Sequence, residues 1–332
     1  MLHRSIPVGL ALAALAAMIP SACSTSPPQC EVGADCASGV CESSGRCAPV
    51  STTTAHDSGT TPTLDGSPVT TPDGGPSSPD GGDPGGDDTG SPVPLGDGGV
   101  CVPNDDGTIV REEFPMLAGL HANYEIAENV TVDTAGVTNA DGSRAWDFSG
   151  ALSGDHTVLV TTDDPSGQWF SSKFASATYT TKLSDTATLL GVLQGSQSAL
   201  ALLGVVSPTS GTGQTEVSYA PPADLMSVPM KLGTAWSSTS NVTGTAEGLV
   251  ADYVEQYASK VDAYGTMKTP YGTFDVLRVQ TTLTRTDLGV VTVTQSLSFV
   301  AECFGPVASV TSQTDETQTQ FTHAAEVRRL TP

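Results

Sequence analysis

Cysteines are the residues of this chain whose spacing most clearly predicts chemistry. The chain has 332 residues and seven cysteines, and four of these follow a C-x5-C-x4-C-x5-C pattern: Cys30, Cys36, Cys41 and Cys47. A zinc site would normally show C-x2-C pairs, so the wider spacing favours two disulfides in an exported chain. Four cysteines allow three pairings, and the sequence does not choose among them. Cys101 and Cys303 form a further predicted disulfide, with two buried free thiols as the alternative.

Acid–base or nucleophilic chemistry would need histidines, paired carboxylates or an activated serine. The sequence has no G-x-S-x-G elbow and no H-E-x-x-H motif, and Gly195–Ser198 misses the serine elbow by its register. Residues 101–332 contain three widely separated histidines: His121, His156 and His323. We expect His323 to be packed or half-exposed, because it follows the apolar pattern of Phe321, Ala325 and Val327.

Acidic and aromatic side chains offer weaker signals. Adjacent carboxylates point to opposite faces of a strand and are usually solvated in loops. Such pairs occur at Asp105-Asp106, Glu112-Glu113 and Asp163-Asp164, the last within a predicted turn that ends at Gly167. Six aromatic residues are expected in the core rather than in a groove for sugars or lipids: Trp146, Trp169, Trp236, Tyr219, Tyr264 and Tyr271. We therefore predict no catalytic residue, no metal ligand and no cofactor.

The charge balance narrows the choice of partners. Asp and Glu outnumber Lys and Arg by 36 to 13, which gives a formal net charge of −23. Nucleic acid is therefore not expected as a partner, because phosphates attract cations. Docking on an anionic membrane through a basic patch is disfavoured for the same reason. A hydrophobic content of 38% fits one ordinary core and not a multi-span membrane protein.

The first residues have the pattern of an export signal. Arg4 is followed by the apolar run Val8–Ile19, which is too short to cross a bilayer as an ideal helix. Small residues follow this run, so residues 1–22 are predicted to be a signal peptide, with a buried core helix as the alternative.

The end of this segment resembles the lipobox of bacterial lipoproteins. Ser21-Ala22-Cys23 fits that pattern, whereas Pro20 departs from it, because the family has Leu or another aliphatic residue there. The resemblance implies that Cys23 carries a lipid, that residues 23–29 form an anchor region and that the chain reaches the membrane through this anchor. One lipidated cysteine and six disulfide partners would account for all seven cysteines. The expected location is the bacterial cell envelope, as an outer-membrane lipoprotein, with a freely secreted form as the alternative.

Two short regions separate the anchor from the main domain. Residues 30–47 are too few to bury a core and must be held by disulfides. This module resembles short Cys-rich repeats near the N-termini of bacterial envelope lipoproteins. Residues 48–100 are predicted to be a disordered acidic linker, because from residue 51 onward Gly, Pro, Asp, Ser and Thr dominate and aromatic residues are absent.

Residues 101–332 are predicted to fold as one β domain. Val290–Ala301 and Phe274–Thr284 alternate between apolar and polar residues, and Thr286–Gly289 joins them as a hairpin. Strands at 304–312 and 317–328 would continue the meander. The segment 188–206 is predicted to form two strands joined at Gly195–Ser198, with a helix interrupted by two glycines as the alternative. Pro221-Pro222 and the stretch 229–236 are interpreted as irregular edges or loops.

Long antiparallel strands tend to coil into a barrel. The segment VDAYGTMKTPYGTFDVLRVQ (Val261–Gln280) and the following FGPVASVTS are similar to the curved sheet of bacterial outer-membrane lipoproteins and lipoprotein carriers. The fold class is accordingly mainly β: a curved antiparallel sheet, half-barrel or barrel-like, after the disordered linker. The resemblance implies a face that binds acyl chains or other apolar ligands.

These observations favour an exported, non-enzymatic envelope lipoprotein whose β domain binds an apolar ligand or an envelope protein partner. A structural or adhesive surface protein is a second hypothesis, since the linker and the Thr-rich strands would suffice for it. A hydrolase acting on envelope polymers is a third hypothesis.

Overall fold

The computed structural model describes residues 101–332 together with the strand residues Val93, Pro94 and Val100. The other residues before 101 lie outside the described part, and with them the predictions made for the signal peptide (1–22), the anchor region (23–29) with Cys23, the module (30–47) with Cys30, Cys36, Cys41 and Cys47, and most of the linker (48–100).

Eighteen strands and one 3-10 helix at Arg111–Glu113 make up the described chain. The strands are β1 Val93–Pro94, β2 Val100–Cys101, β3 Thr108–Ile109, β4 His121–Thr131, β5 Val137–Thr138, β6 Arg144–Asp147, β7 His156–Asp163, β8 Tyr179–Lys182, β9 Leu190–Gly195, β10 Ala199–Val206, β11 Glu216–Ser227, β12 Met230–Lys231, β13 Ala235–Ala246, β14 Leu249–Lys268, β15 Thr273–Asp287, β16 Val290–Ala301, β17 Gly305–Ser312 and β18 His323–Thr331.

Twelve of these strands close into an antiparallel barrel. The ring runs β4, β7, β8, β9, β10, β11, β13, β14, β15, β16, β17, β18 and returns to β4. Pairing of β13 with β14 over twelve residue pairs, from Ala235↔Lys260 to Ala246↔Leu249, completes the closure. The short strand β6 adds in parallel to the end of β14 outside the ring. The predicted mainly β, barrel-like antiparallel fold is confirmed.

Most of the individual strand predictions are also confirmed. The β15–β16 hairpin turns at Leu288-Gly289, where both residues have positive φ, as a two-residue turn of type I′ requires. β9 and β10 are two strands joined through residues 196–198, because a helix there would have carried glycines in its interior.

Two predictions need correction. The last strand begins at His323 rather than at residue 317, because residues 317–322 form a loop that buries Phe321 and leaves its carbonyl to accept a bond from Thr134. Pro221 and Pro222, interpreted from the sequence as an irregular edge or a loop, lie inside β11 and not in a loop, at an irregularity in its pairing with β10. The register of β11 against β10 shifts opposite Leu202 and Gly204, so that neither proline is paired with a residue of a neighbouring strand. Because no partner is present there, the missing N–H groups of the prolines remove no hydrogen bond of the sheet.

The inside of the barrel is identified by the alternation along β14. Side chains at even positions 252–260 are exposed, whereas those at odd positions 251–261 are buried or half-buried. The odd-numbered face packs against residues from the N-terminal strap, which we define as residues 101–118. Ile109, Phe114 and Met116 of the strap are buried in one cluster with inward side chains of β9, β10, β11, β13 and β14. The strap therefore fills this half of the barrel.

The opposite inner wall is polar. Thr294 pairs with Leu283, which pairs with Tyr257, so these three residues share the inner face. On this face β16 and β17 carry half-buried hydroxyl residues: Thr294, Ser296, Ser298, Ser309 and Thr311. The apolar side of β16 therefore points outward.

Two segments cover the barrel from outside. Trp146 and Phe148, from the segment 132–150, make edge-to-face contacts with Phe299 of β16, with ring centroids 5.0 and 5.6 Å apart. The segment 165–178 covers β9 and β10 with Phe170 and Phe174. A Cβ at Gly204 would lie 2.3 Å from the Phe174 ring, so glycine permits this close packing.

A buried ion pair attaches the first of these covers to the barrel. Arg278 of β15 donates two hydrogen bonds to Asp262, at 2.9 and 2.7 Å, and a third to the Thr134 carbonyl at 2.7 Å. Its guanidinium lies 5.4 Å from the centre of the Trp146 ring. Arg329, also fully buried, bonds to Asp155 and to the carbonyls of residues 148 and 150.

Arg278→Leu is expected to lower the free energy of unfolding by about 3–5 kcal/mol, because it leaves the Asp262 carboxylate without its partner. The matched control is Lys268→Leu, which removes an exposed pair with Asp147 and should cost at most about 1 kcal/mol. Urea denaturation measures both. Equal losses for the two variants would contradict the anchoring role of Arg278.

The structure joins Cys101 to Cys303 by a disulfide, with Cα atoms 5.6 Å apart and a separation of 202 positions in sequence. A loop of this length gives roughly 5 kcal/mol of stabilisation in the chain-entropy model, and native disulfides typically contribute about 2–5 kcal/mol. We expect the double variant Cys101→Ser/Cys303→Ser to lose stability within that range in urea denaturation. Wild-type protein treated with reductant should match it, and an unchanged midpoint in both would refute the prediction.

Candidate functional site

A cleft of about 320 Å³ lies at the end of the barrel where the strap passes β15 and β16. Its floor is apolar and is formed by Ile109, Leu277 and Val300. Its rim carries four carboxylates and one phenol: Asp105, Asp106, Asp275, Glu302 and Tyr264. We call this site, defined by these eight residues, the acidic cleft.

The strap is held beside the cleft by Glu302. This carboxylate accepts hydrogen bonds from the backbone N–H groups of Asn104, at 2.7 Å, and Asp105, at 3.1 Å. Asp105 has a φ of 54°, a left-handed conformation at which the strap bends. The Asn104 side chain donates to Glu113 at 2.7 Å, and the neighbouring Cys303 N–H donates to the Glu113 carbonyl. Carboxylates from the strap and from the barrel thus meet at one rim.

The rim carries negative charge that no basic side chain of the described residues pairs with. None of the ion pairs among the described residues includes a carboxylate of the acidic cleft. Partial desolvation raises the pKa of Asp275 even though its side chain is exposed, and the charge of Asp105 raises it further. The pKa of Glu302 is also raised, because the effect of desolvation is larger than that of the two N–H bonds, which lower it.

An apolar floor beside unpaired carboxylates fits a ligand with an apolar body and a positive charge. The floor would bury the apolar part, and the rim would pair with the cation. A volume near 320 Å³ is at the small end of ligand sites. Within the described residues, no three His, Cys, Asp or Glu side chains are placed to hold a metal ion.

A second group of titratable residues lies inside the barrel. Glu255 is almost fully buried and accepts bonds from Arg285, at 2.6 Å, and from the Tyr257 hydroxyl, at 2.7 Å. The Arg285 guanidinium also lies 4.6 Å from the centre of the Tyr253 ring. Burial and the charge of Glu255 raise the pKa of Tyr257 well above its usual value, so its hydroxyl keeps its proton and donates. Arg285 and Tyr257 therefore satisfy the Glu255 carboxylate within the inner wall.

This group was not predicted from the sequence, although the sequence carries a usable signal for it. Tyr253, Glu255 and Tyr257 alternate along β14 and therefore share one face. Arg285 lies directly opposite Glu255 on β15. Only the pairing register of the two strands brings the arginine to the carboxylate.

The three histidines do not converge on a site. His121 and His323 are exposed. The expectation that His323 follows the pattern of Phe321 and Val327 is wrong. Neighbouring residues of β17 pair with Glu326 and then with Ala324, so the residue between these two is an extra one in β18 and moves His323 to the other face of the strand. His156 bonds to Asp185 at 2.6 Å, and this bond raises the pKa of His156.

The acidic pairs are placed in three different ways. Asp105 and Asp106 lie at the acidic cleft. Glu112 is exposed, whereas Glu113 is buried and accepts from the Val110 N–H at 3.0 Å. The pair at 163–164 is exposed, and Asp164 accepts from the Ser166 N–H in the following turn.

The aromatic residues divide between core and surface. Trp146 and Tyr219 are buried, and Trp169 and Trp236 are partly buried, which agrees with core packing. Tyr264 and Tyr271 are 38% and 53% exposed, so for these two the expectation is wrong. Tyr264 lies at the acidic cleft, where its strand approaches the strap.

Comparison with known proteins gives little guidance. No family model matches the chain, and no curated protein matches it. Among solved structures, a "putative exported protein with YmcC-like fold" from Bacteroides fragilis matches at 11% identity and a TM-score of 0.29, over 65% of this chain and 96% of its own. At that TM-score the likeness bears on neither the fold nor the function. In residues 101–332, no helix is long and apolar enough to cross a membrane.

Asp275→Asn is expected to make the protein more stable at neutral pH. The folded state holds the Asp275 proton more tightly than the unfolded chain, because its pKa is raised on folding. Wild type therefore loses stability as the pH rises through the ordinary value of 3.8 and then through the raised pKa, whereas the variant does not. The advantage of the variant should vanish below that ordinary value, as measured by urea denaturation over a pH series.

Asp147→Asn provides the opposite control. Hydrogen bonds from Ser149 lower the pKa of Asp147, so its contribution to stability is present above the ordinary pKa and is lost as the pH falls through the lowered one. This variant should be less stable than wild type at neutral pH. The same sign of change in both variants would contradict the electrostatic account of the cleft.

Proposed function

We propose that this chain is an exported lipoprotein of the bacterial cell envelope whose barrel binds a small, positively charged apolar ligand in the acidic cleft. Export is supported by the leader pattern of residues 1–22 and by the Cys101–Cys303 disulfide, since such bonds persist in oxidising compartments. In this proposal Cys23 carries the lipid, and residues 48–100 tether the barrel to the outer membrane. The protein acts by binding and not by catalysis.

The observation that carries the ligand proposal is the composition of the acidic cleft. Four carboxylates, none of them in an ion pair with another described residue, stand around a floor of Ile109, Leu277 and Val300. Like charges side by side raise the energy of the folded protein, and a bound cation relieves their repulsion. The carboxylates of the rim indicate that the ligand is positively charged, and the apolar floor indicates that it has an apolar body.

Isothermal titration calorimetry with two small probes tests this proposal. Phenethylammonium presents a cation and an apolar ring, whereas phenylacetate presents an anion on a similar frame. We expect the full chain, with its disulfide intact, to bind phenethylammonium at least about tenfold more tightly than phenylacetate, because the rim repels the anion.

Variants locate the binding. Asp275→Asn/Glu302→Gln should weaken phenethylammonium binding about tenfold or more, and the Asp147→Asn control should leave it unchanged. Affinity should also fall as the pH is lowered, because Asp275 and Glu302 take up protons first on account of their raised pKa values. Equal affinity for the two probes, or no effect of the double variant, would refute the proposal.

A further inference from the structure

Apolar side chains are exposed at the tips of two long hairpins, β13–β14 and β15–β16. The exposed fractions are 70% for Leu249, 86% for Val250, 37% for Val254, 97% for Leu288, 58% for Val290 and 55% for Val291. Leu249 and Val290 follow the inward-facing alternation of β14 and β16, so we give the name hairpin-tip patch to the other four residues: Val250, Val254, Leu288 and Val291.

The register of the strands places Val254 and Val291 on one outer face. Val254 pairs with Thr286, and Thr286 pairs with Val291, so the two valines flank this threonine on the same outer face. With strands spaced about 4.8 Å apart, Val254 and Val291 lie roughly 10 Å from each other. Leu288 occupies the turn between Thr286 and Val291. Exposed apolar side chains that are grouped in this way are typical of interaction sites.

Folding alone does not explain the leucine at the turn. Leu288 has a φ of 48°, in the left-handed region that a two-residue hairpin turn requires. Asn, Asp or Gly is preferred at this position, and leucine is both strained there and almost wholly exposed. A residue that is unfavourable for the backbone and for solvation indicates a role outside the fold.

The charge around the patch defines the partner. The exposed carboxylates of Glu247, Asp252 and Asp287 surround it. Asp315 is exposed beside Val293, with its N–H bonded to the Val293 carbonyl at 2.6 Å. In the segments 246–256 and 284–294 the one basic residue is Arg285, which turns inward to pair with Glu255. The patch therefore combines an apolar centre with an anionic rim.

We infer that the hairpin-tip patch docks into an apolar groove that is bordered by lysines and arginines on a different protein. A second copy of this chain would set carboxylates against carboxylates, and a bilayer with anionic headgroups would repel the same rim. The patch lies on the same strands as the acidic cleft but some ten residues away, since the cleft contacts residues 264–265 of β14 and the patch ends at Val254. The docking surface is independent of the proposed ligand site.

Photo-crosslinking in the producing bacterium tests this inference. A photoreactive amino acid replaces Leu288 in the full chain, and a control replaces Leu159, which is 53% exposed on β7. We expect a discrete protein adduct from position 288 and none from position 159. Adducts with lipid, adducts with a second copy of this chain, or the same adducts from both positions would overturn the inference.

Reconstitution with the purified crosslinked protein tests the chemistry of the contact. Leu288→Asn places a favoured residue in the turn and so preserves the hairpin while removing the apolar tip. Together with Val291→Thr it should raise the Kd at least about tenfold, and Leu159→Thr should leave the Kd unchanged. Added salt should also weaken binding, because the rim is anionic. A Kd that does not respond to the double variant or to salt would overturn the inference.

Discussion

A ring of twelve strands encloses more space than its own inward side chains fill, and the rest of the structure depends on how that space is used. Eight strands leave an interior that side chains alone can occupy. Here the strap enters one half and buries Ile109, Phe114 and Met116 against the inner wall. The other inner wall carries hydroxyl groups on β16 and β17, and the apolar faces of these strands turn outward beneath the segment 132–150. The barrel wall is thus packed on its inner surface by the strap and on its outer surface by the segment 132–150.

The same constraint produces the acidic cleft. The strap must pass the end of the barrel to reach its interior, and the Cys101–Cys303 disulfide and the bonds to Glu302 fix it there. A gap remains between the strap and the inner faces of β15 and β16, floored by Leu277 and Val300. Carboxylates then collect at the gap because the strap brings Asp105 and Asp106 close to Asp275 of β15 and to Glu302, which directly follows β16.

Strand positions could be predicted from the sequence wherever residues alternate, as in β15 and β16, because a period of two reflects local geometry. The sequence does not reveal which face is inside, since that depends on closure of β13 against β14. The sequence also does not reveal contacts that arise only from the register in which two strands pair. Arg278 meets Asp262, and Arg285 meets Glu255, across neighbouring strands. The cleft brings together residues 105 and 302, which are distant in sequence and meet only because of the path of the strap. His323 lies off the face that its spacing predicted, because β18 contains an extra residue.

Amide hydrogen exchange followed by mass spectrometry tests the packing of the strap most directly. The N–H groups of Val110, Glu113 and Phe114 are hydrogen-bonded, and Ile109 pairs with Met230. If the strap fills the barrel, peptides covering residues 109–116 should exchange about as slowly as those of β9 and β10. Exchange of these peptides at the rate of exposed loops, while β9 and β10 stay protected, would contradict a barrel that is packed by its own N-terminal strap.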